Sequence, residues 1–183
     1  GKAQALAGGR LGLQLDTSTA QLAQQVEGSL ALRYDDWLEG SAQVSASPLD
    51  APTGSARLAT TQERDVGGGL VLEEGAALQT TLSAGQVQGA EGVVRVRYQE
   101  WLGGGLTLAA GSSLDSMAGQ ADVEVRAAKQ LGKLSLHEGG ALQTTIEGGS
   151  LGTFAGHAAL GWDGWAEGGL KVDNGSRLDA ISG

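Results

Sequence analysis

The chain has 183 residues, of which 32 are glycine, two proline and none cysteine, and its formal net charge is −9. Without cysteine there are no disulfides, thiolate metal sites or cysteine nucleophiles, and without a Lys/Arg cluster there is no basic footprint for nucleic acid. Glycine well above its usual share of roughly 7 %, with almost no proline, suits a chain that turns often and pairs its backbone between turns.

The first residues, KAQALAGGRLGL from Lys2, lack the basic start and apolar run of a signal peptide. They match the tail of a later hairpin, VRAAKQLGKLSL from Val125, so the first copy of the pattern begins part-way, as a segment of a longer array would. The best helical candidate, TAQLAQQVEGSLAL from Thr19, is broken by Gly28. From there the period is two. VVRVRYQEW puts Val94, Val96 and Tyr98 on one face and Arg95, Arg97 and Gln99 on the other. Leu106 and Leu108 follow in GLTLAAG; Val123, Val125 and Ala127 oppose Asp122, Glu124 and Arg126; Leu134 and Leu136 close the series. Such alternation is the mark of half-buried strands. Short glycine-bearing links near Ala7, Leu38, Val66, Leu102, Leu131 and Ala166 read as hairpin turns, with longer links such as DSMAGQ and TTLSAGQVQGAEG between them.

The chain repeats itself at an interval of 64. LEEGAALQTT from Leu72 lies over LHEGGALQTT from Leu136, and in the same frame Trp101 falls on Trp165, Leu106 on Leu170, and Leu114-Asp115 on Leu178-Asp179. Backwards, Arg33, Tyr34, Trp37 and Gly40 fall on Arg97, Tyr98, Trp101 and Gly104. The expectation is one all-β domain over 1–183, in units of 1–54, 55–118 and 119–183. Its strands, about twelve and antiparallel, form a hairpin meander closed as a barrel or a sandwich. A parallel β-solenoid is the alternative, but the Leu-x-Leu and Val-x-Val pairs start at 70, 94, 106, 123 and 134, too unevenly for coils of constant length.

Six aromatic residues, Tyr34, Trp37, Tyr98, Trp101, Trp162 and Trp165, sit beside the same kind of turn. They are candidate contact residues, a partial belt or a binding platform, or else packing plugs at the hairpin ends. By phase Trp101 belongs with Arg95, Arg97 and Gln99 on the polar face. The apolar stripe reads as short: two Leu on one face cover about 7 Å, against the roughly 25 Å band of a transmembrane barrel. A sheet of this kind could also curl into a tube with a greasy interior for acyl chains.

No chemistry-bearing constellation emerges. His137 and His157 lie on different hairpins, Asp35-Asp36 and Glu73-Glu74 point to opposite sides of a strand, and GGGL at Gly67 and Gly103 precedes strands rather than a helix. The expectation is a chain that is not an enzyme and takes no cofactor or metal. Through its repeats it resembles hairpin-repeat regions of large exported bacterial surface proteins and, more distantly, outer-membrane β-barrel domains. The resemblance implies an extracellular or cell-surface module acting as scaffold, spacer or adhesin. Its partners would be neighbouring repeats and a surface partner or lipid, with no nucleic acid. A pore or hydrophobic conduit in the outer membrane is the competing expectation.

Overall fold

The computed structural model describes residues 3–5, 10–16, 21–46, 52–84, 86–113, 116–177, 179, 180, 182 and 183, with backbone alone up to Val26. All of the regular structure described is β, sixteen strands in one sheet. They are β1 (Ala3–Ala5), β2 (Arg10–Asp16), β3 (Gln21–Tyr34), β4 (Leu38–Ala46), β5 (Pro52–Thr60), β6 (Arg64–Gly67), β7 (Leu70–Leu72) and β8 (Ala77–Ser83). Then come β9 (Gln86–Tyr98), β10 (Leu102–Ser112), β11 (Gly119–Val125), β12 (Lys129–Leu131), β13 (Leu134–Leu136), β14 (Ala141–Glu147), β15 (Ser150–Trp162) and β16 (Ala166–Ser176). The helical candidate after Thr19 is strand: Gln21 onwards pairs with β2 and β4, whose long ladders outweigh a few helix-tolerant Gln and Ala.

Every pairing is antiparallel, which removes the parallel solenoid. The count exceeds twelve because some rows are broken. β7 and β8 lie end to end along one edge of β9, Leu70–Leu72 against Tyr98–Val96 and Ala77–Ser83 against Val93–Gln86. β13 and β14 share β15 in the same way, and β1 and β2 share β3. β6 and β12 pair only with β7 and β13. The sheet therefore has eleven rows: β1/β2, β3, β4, β5, β7/β8, β9, β10, β11, β13/β14, β15 and β16.

Nor do the rows close. Among the described residues the outer edges of β1/β2 and β16 are unpaired, and there is no second sheet to make a sandwich. Parity explains part of this. In an antiparallel series of eleven rows the first and last run the same way, so they cannot pair antiparallel with each other.

The glycine-bearing links after Tyr34, Tyr98 and Trp162 were misplaced by about three residues. Leu38, Leu102 and Ala166 open strands, and the chain turns at 35–37, 99–101 and 163–165. The left-handed conformation is taken by Asp35, Gln99 and Asp163 (φ 46, 43 and 52°), joined in the third turn by Gly164 (φ 73°). Two of the glycines just after serve close approach instead: a Cβ on Gly40 would touch Leu58 and one on Gly103 would run into the Arg126 guanidinium, whereas one on Gly168 would meet nothing. The segment read as a long link, TTLSAGQVQGAEG, is the end of β8, a tight turn at Ala84 (φ 50°) and the start of β9.

Strand bounds recur with a constant offset. β7, β8, β9 and β10 become β13, β14, β15 and β16 when 64 is added to both ends of each. The register also climbs. Tyr34 faces Leu38, which faces Thr60; one step down, Ala59 faces Ala77, which faces Val93. The level of Tyr34 thus reaches β9 at Val94, four residues short of Tyr98. Going on, Tyr98 faces Leu102 and Val125, and that level reaches β15 at Ala158, four residues short of Trp162. Four residues of about 3.3 Å over four rows of about 4.8 Å is a slant of about 35°, the strand tilt at which sheets close into barrels.

Candidate functional site: apolar face and aromatic rim

Paired residues share a side of a sheet, so the registers sort the side chains without ambiguity away from the bulges. One face carries Leu30 and Leu32 from β3, Val44 from β4, Leu58 from β5, Leu78 and Leu82 from β8. It continues through Val94, Val96 and Tyr98 to Leu102, Leu106 and Leu108, then Ala121, Val123 and Val125. Leu142, Thr144 and Ile146 lead on to Phe154, Ala158 and Leu160, and the face ends at Leu170 and Val172. The other face carries Ser29, Arg33, Gln43, Ser55, Arg57, Gln79, Glu91, Arg95, Arg97, Thr107, Asp122, Glu124, Gln143, His157 and Lys171. The apolar stripe is longer than the Leu-x-Leu pairs suggested, because Gly and Ala extend it between the large residues.

This apolar face has no cover. Among the described residues only Ala46, Ala76 and Ile146 are buried apolar side chains, while Leu58 is 54 % and Leu170 59 % exposed. The accessible surface is 11951 Å², where a compact monomer of this mass has about 8,200 Å². The excess comes from both faces of a single uncovered layer, and on one of them it is a contiguous run of exposed Leu and Val, including Leu30, Val44, Leu58, Leu78, Val123, Leu142 and Leu170.

Open hollows lie beside Ser29, Gln43, Ser45, Ser55 and Thr81 and beside Gln143, His157 and Lys171, and two smaller apolar grooves lie beside Val123, Leu142 and Leu170 and beside Leu58, Leu72 and Leu78.

Tyr34, Tyr98 and Trp162 end the apolar face at one rim. Because the register climbs four residues every four rows, they stand on one straight line slanted across the rows. Neighbours on that line are separated by about 23 Å of sheet. Ring contacts join Tyr34 to Trp37 (6.4 Å, 82°) and Tyr98 to Trp101 (6.3 Å, 76°), both edge-to-face. Trp101 therefore packs with the apolar-face Tyr98, correcting its assignment to the polar face: it lies in the turn, where strand phase no longer applies. Arg64 lies over the Trp37 ring at 5.7 Å and Lys129 over Trp101 at 5.9 Å, within cation–π range. In the third turn Trp162 and Trp165 are exposed, Trp165 by 78 %. The structure thus aligns all six aromatic residues along one rim in three groups; it does not gather them into one platform.

Below the rim on the polar face runs a charge network that the sequence did not announce. Arg126, in the link after β11, donates to Glu73 and, at 2.5 Å, to Glu124. Arg97 donates to Glu63 at 2.7 Å and to Glu100, with Glu73 4.0 Å away, and Arg33 donates to Glu39 at 2.9 Å. Glu73 lies in the link between β7 and β8. The hydrogen bond from Arg126 holds its carboxyl below the ordinary carboxylate range against the opposing effect of burial, and the charges of Arg126, Arg97 and Arg95 lower it further. In the equivalent place 64 residues on, His137 replaces Glu73 and Gly161 replaces Arg97. His157 sits apart on β15 opposite Ala141. Among the described residues no group of three or more His, Asp or Glu could hold a metal ion.

No family model matches the chain, and no curated protein or solved structure matches it either.

Proposed function

We propose that the chain forms the wall of a membrane β-barrel of the outer-membrane type. Its apolar face lies against lipid and its polar face lines an aqueous lumen. In this reading each 64-residue unit contributes four rows, and the function is that of a pore or conduit rather than a soluble scaffold or adhesin.

The observation that carries the reading is a sheet with one apolar and one polar face, the apolar one left exposed. A water-soluble barrel turns its apolar side inward and fills it, whereas a membrane barrel turns it outward to lipid. Between the aromatic rim and the bulges at the far ends, the registers place no ionisable side chain on that face among the described residues. Strand lengths agree: β4 and β5 have nine residues, β10 and β16 eleven, close to the 9–11 that cross a bilayer at such a tilt. An aromatic rim at one height is what the headgroup region favours, since Tyr and Trp present an apolar body and a polar edge.

The test is to dilute the urea-unfolded chain into buffer with and without phosphatidylcholine vesicles. The expected result is aggregation without lipid and, with lipid, a blue-shifted tryptophan emission quenched by bromine atoms placed near the headgroups. A monodisperse protein in plain buffer whose emission ignores vesicles would overturn the reading and return the chain to the soluble scaffold class.

A further inference from the structure

We infer that Arg64 and Lys129 form two copies of one lipid site, each holding the phosphate of an anionic lipid against the aromatic rim. These sites rest on the lipid-facing wall proposed above, and they name the lipid that the wall selects.

Both cations stand on the apolar face. Arg64 faces Leu72, which faces Val96; Lys129 faces Leu136, which faces Leu160. Val96 is two residues below Tyr98 and two above Val94, the level of Tyr34. Leu160 stands in the same relation to Trp162 and to Ala158, the level of Tyr98. β6 and β12 flank β7 and β13 on the side away from β9 and β15, in line with β5 and β11. Arg64 is therefore midway between Tyr34 and Tyr98, and Lys129 midway between Tyr98 and Trp162. Aromatic and basic residues alternate along the slanted rim in steps of two rows and two residues, about 12 Å each.

The two positions are equivalent in space but not in the repeat frame. In steps of 64 residues Arg64 falls on Ala128, and Lys129 on Asp65. The first hairpin holds one residue more, taken up by a bulge between Asp65 and Gly67. The basic residue still stands opposite Leu72 in one hairpin and Leu136 in the other. A cation thus stays at this spot although the frame around it shifts by one.

Neither cation has an anion of its own. Among the described residues Arg64 and Lys129 form no ion pair, whereas Arg33, Arg97 and Arg126 are each paired with carboxylates. Each lies over an indole, Arg64 over Trp37 and Lys129 over Trp101. Lys129 is half-buried there, and an ammonium drawn out of water without a counter-charge costs free energy that an anion offsets. The indole N–H groups of Trp37 and Trp101 are buried without a partner. The polar edge that these tryptophans bring to the rim is therefore turned inward, and the cations supply the polarity outside. Both suit a phosphate: the guanidinium fork takes two of its oxygens, and the ammonium meets it as a point charge.

The test reads each site through its own tryptophan. Chains keeping only Trp37 or only Trp101, the other tryptophans changed to phenylalanine, are folded into phosphatidylcholine vesicles. A small fraction of the lipid is brominated phosphatidylglycerol or, in parallel, brominated phosphatidylcholine. Quenching by the anionic lipid should be about fivefold more efficient at both tryptophans. Arg64→Gln should remove that preference at Trp37 and leave it at Trp101; Lys129→Gln should do the converse, and Arg64→Lys should keep most of it. Equal quenching by the two lipids, or a preference that survives Arg64→Gln and Lys129→Gln, overturns the inference and leaves the lipid-facing wall standing. The comparison of the two lipids needs no charge variant, so it decides even where a variant fails to fold. Absence of quenching by either lipid overturns the wall and these sites with it. A preference erased by inorganic phosphate at the concentration of the anionic lipid marks a soluble-anion site and overturns the lipid assignment.

Discussion

Placing one charge on either side of β10 separates the lipid-facing reading from its rivals. Leu106 is on the apolar face opposite Val94, and Val94 is four residues from Tyr98 at the rim. Four residues of about 3.3 Å, tilted by about 35°, put Leu106 roughly 11 Å below the aromatic level. In an apolar band about 25 Å tall that is close to the bilayer midplane, where arginine costs about 2–4 kcal/mol. Its neighbour Thr107 is exposed on the polar face and faces Gln120, so Thr107→Arg should cost no more than about 0.5 kcal/mol. With an m-value of about 2 kcal/mol/M, Leu106→Arg should move the urea midpoint of the vesicle-folded chain down by about 1–2 M and Thr107→Arg should leave it in place. The cost of Leu106→Arg should also grow from short-chain to long-chain lipids, because the thicker film leaves the guanidinium less able to reach water. Equal midpoints for the two variants, or a cost indifferent to lipid thickness, would refute the assignment of this face to lipid.

Further outcomes follow from the rim and the charge network. Glu73→Gln, which deprives Arg126 of its main partner, should cost about 1 kcal/mol in chemical denaturation. Because the folded-state carboxyl titrates below its unfolded value, its contribution is present above the ordinary carboxylate range and fades as pH falls through the folded value. The gap between parent and variant should therefore close in acid, and a gap independent of pH would contradict the pairing. Gly103→Ala places a methyl group against the Arg126 guanidinium and should behave like Glu73→Gln, so the double variant should lose less than the two singles together. Gln99 has a φ of 43° without the short side chain that eases this conformation, so Gln99→Gly should stabilise by about 0.5–1 kcal/mol in the same assay. In the vesicle-folded chain, single-tryptophan variants should rank Trp165 well above Trp37 and Trp101 in acrylamide quenching, following their exposure.

Much of the wall was legible in the chain. Period-two runs around Val94 to Tyr98 and Val123 to Val125 place residues on the faces that the structure gives them, since alternation follows from the pleat alone. Where each strand turns was less legible. Gly40, Gly103 and Gly168 drew the turns towards themselves, yet the first two serve tight cross-strand contacts (Gly40 would touch Leu58) and the turning is done by Asp35, Gln99 and Asp163. The extent of the apolar band was hidden because Gly104, Ala121 and Gly156 carry no strong hydrophobic signal, although their registers set them among Leu and Val. The Glu73–Arg126 pair joins residues 53 apart in the chain, and such a contact becomes visible only once the rows are in register.

The steady climb of the register bears on how such a wall changes gauge. From β3 to β9 and from β9 to β15 four rows advance the register by four residues, so four more rows of the same kind would leave the slant of every strand as it was. What changes is girth: in a closed sheet one unit lengthens the perimeter by about 23 Å and the diameter by about 7 Å. Duplication or loss of a whole unit would then alter calibre in fixed increments, while the rim, the slant and the contacts between neighbouring strands carry over unchanged. An insertion of one or two rows would break the antiparallel order or shift the aromatic line out of level.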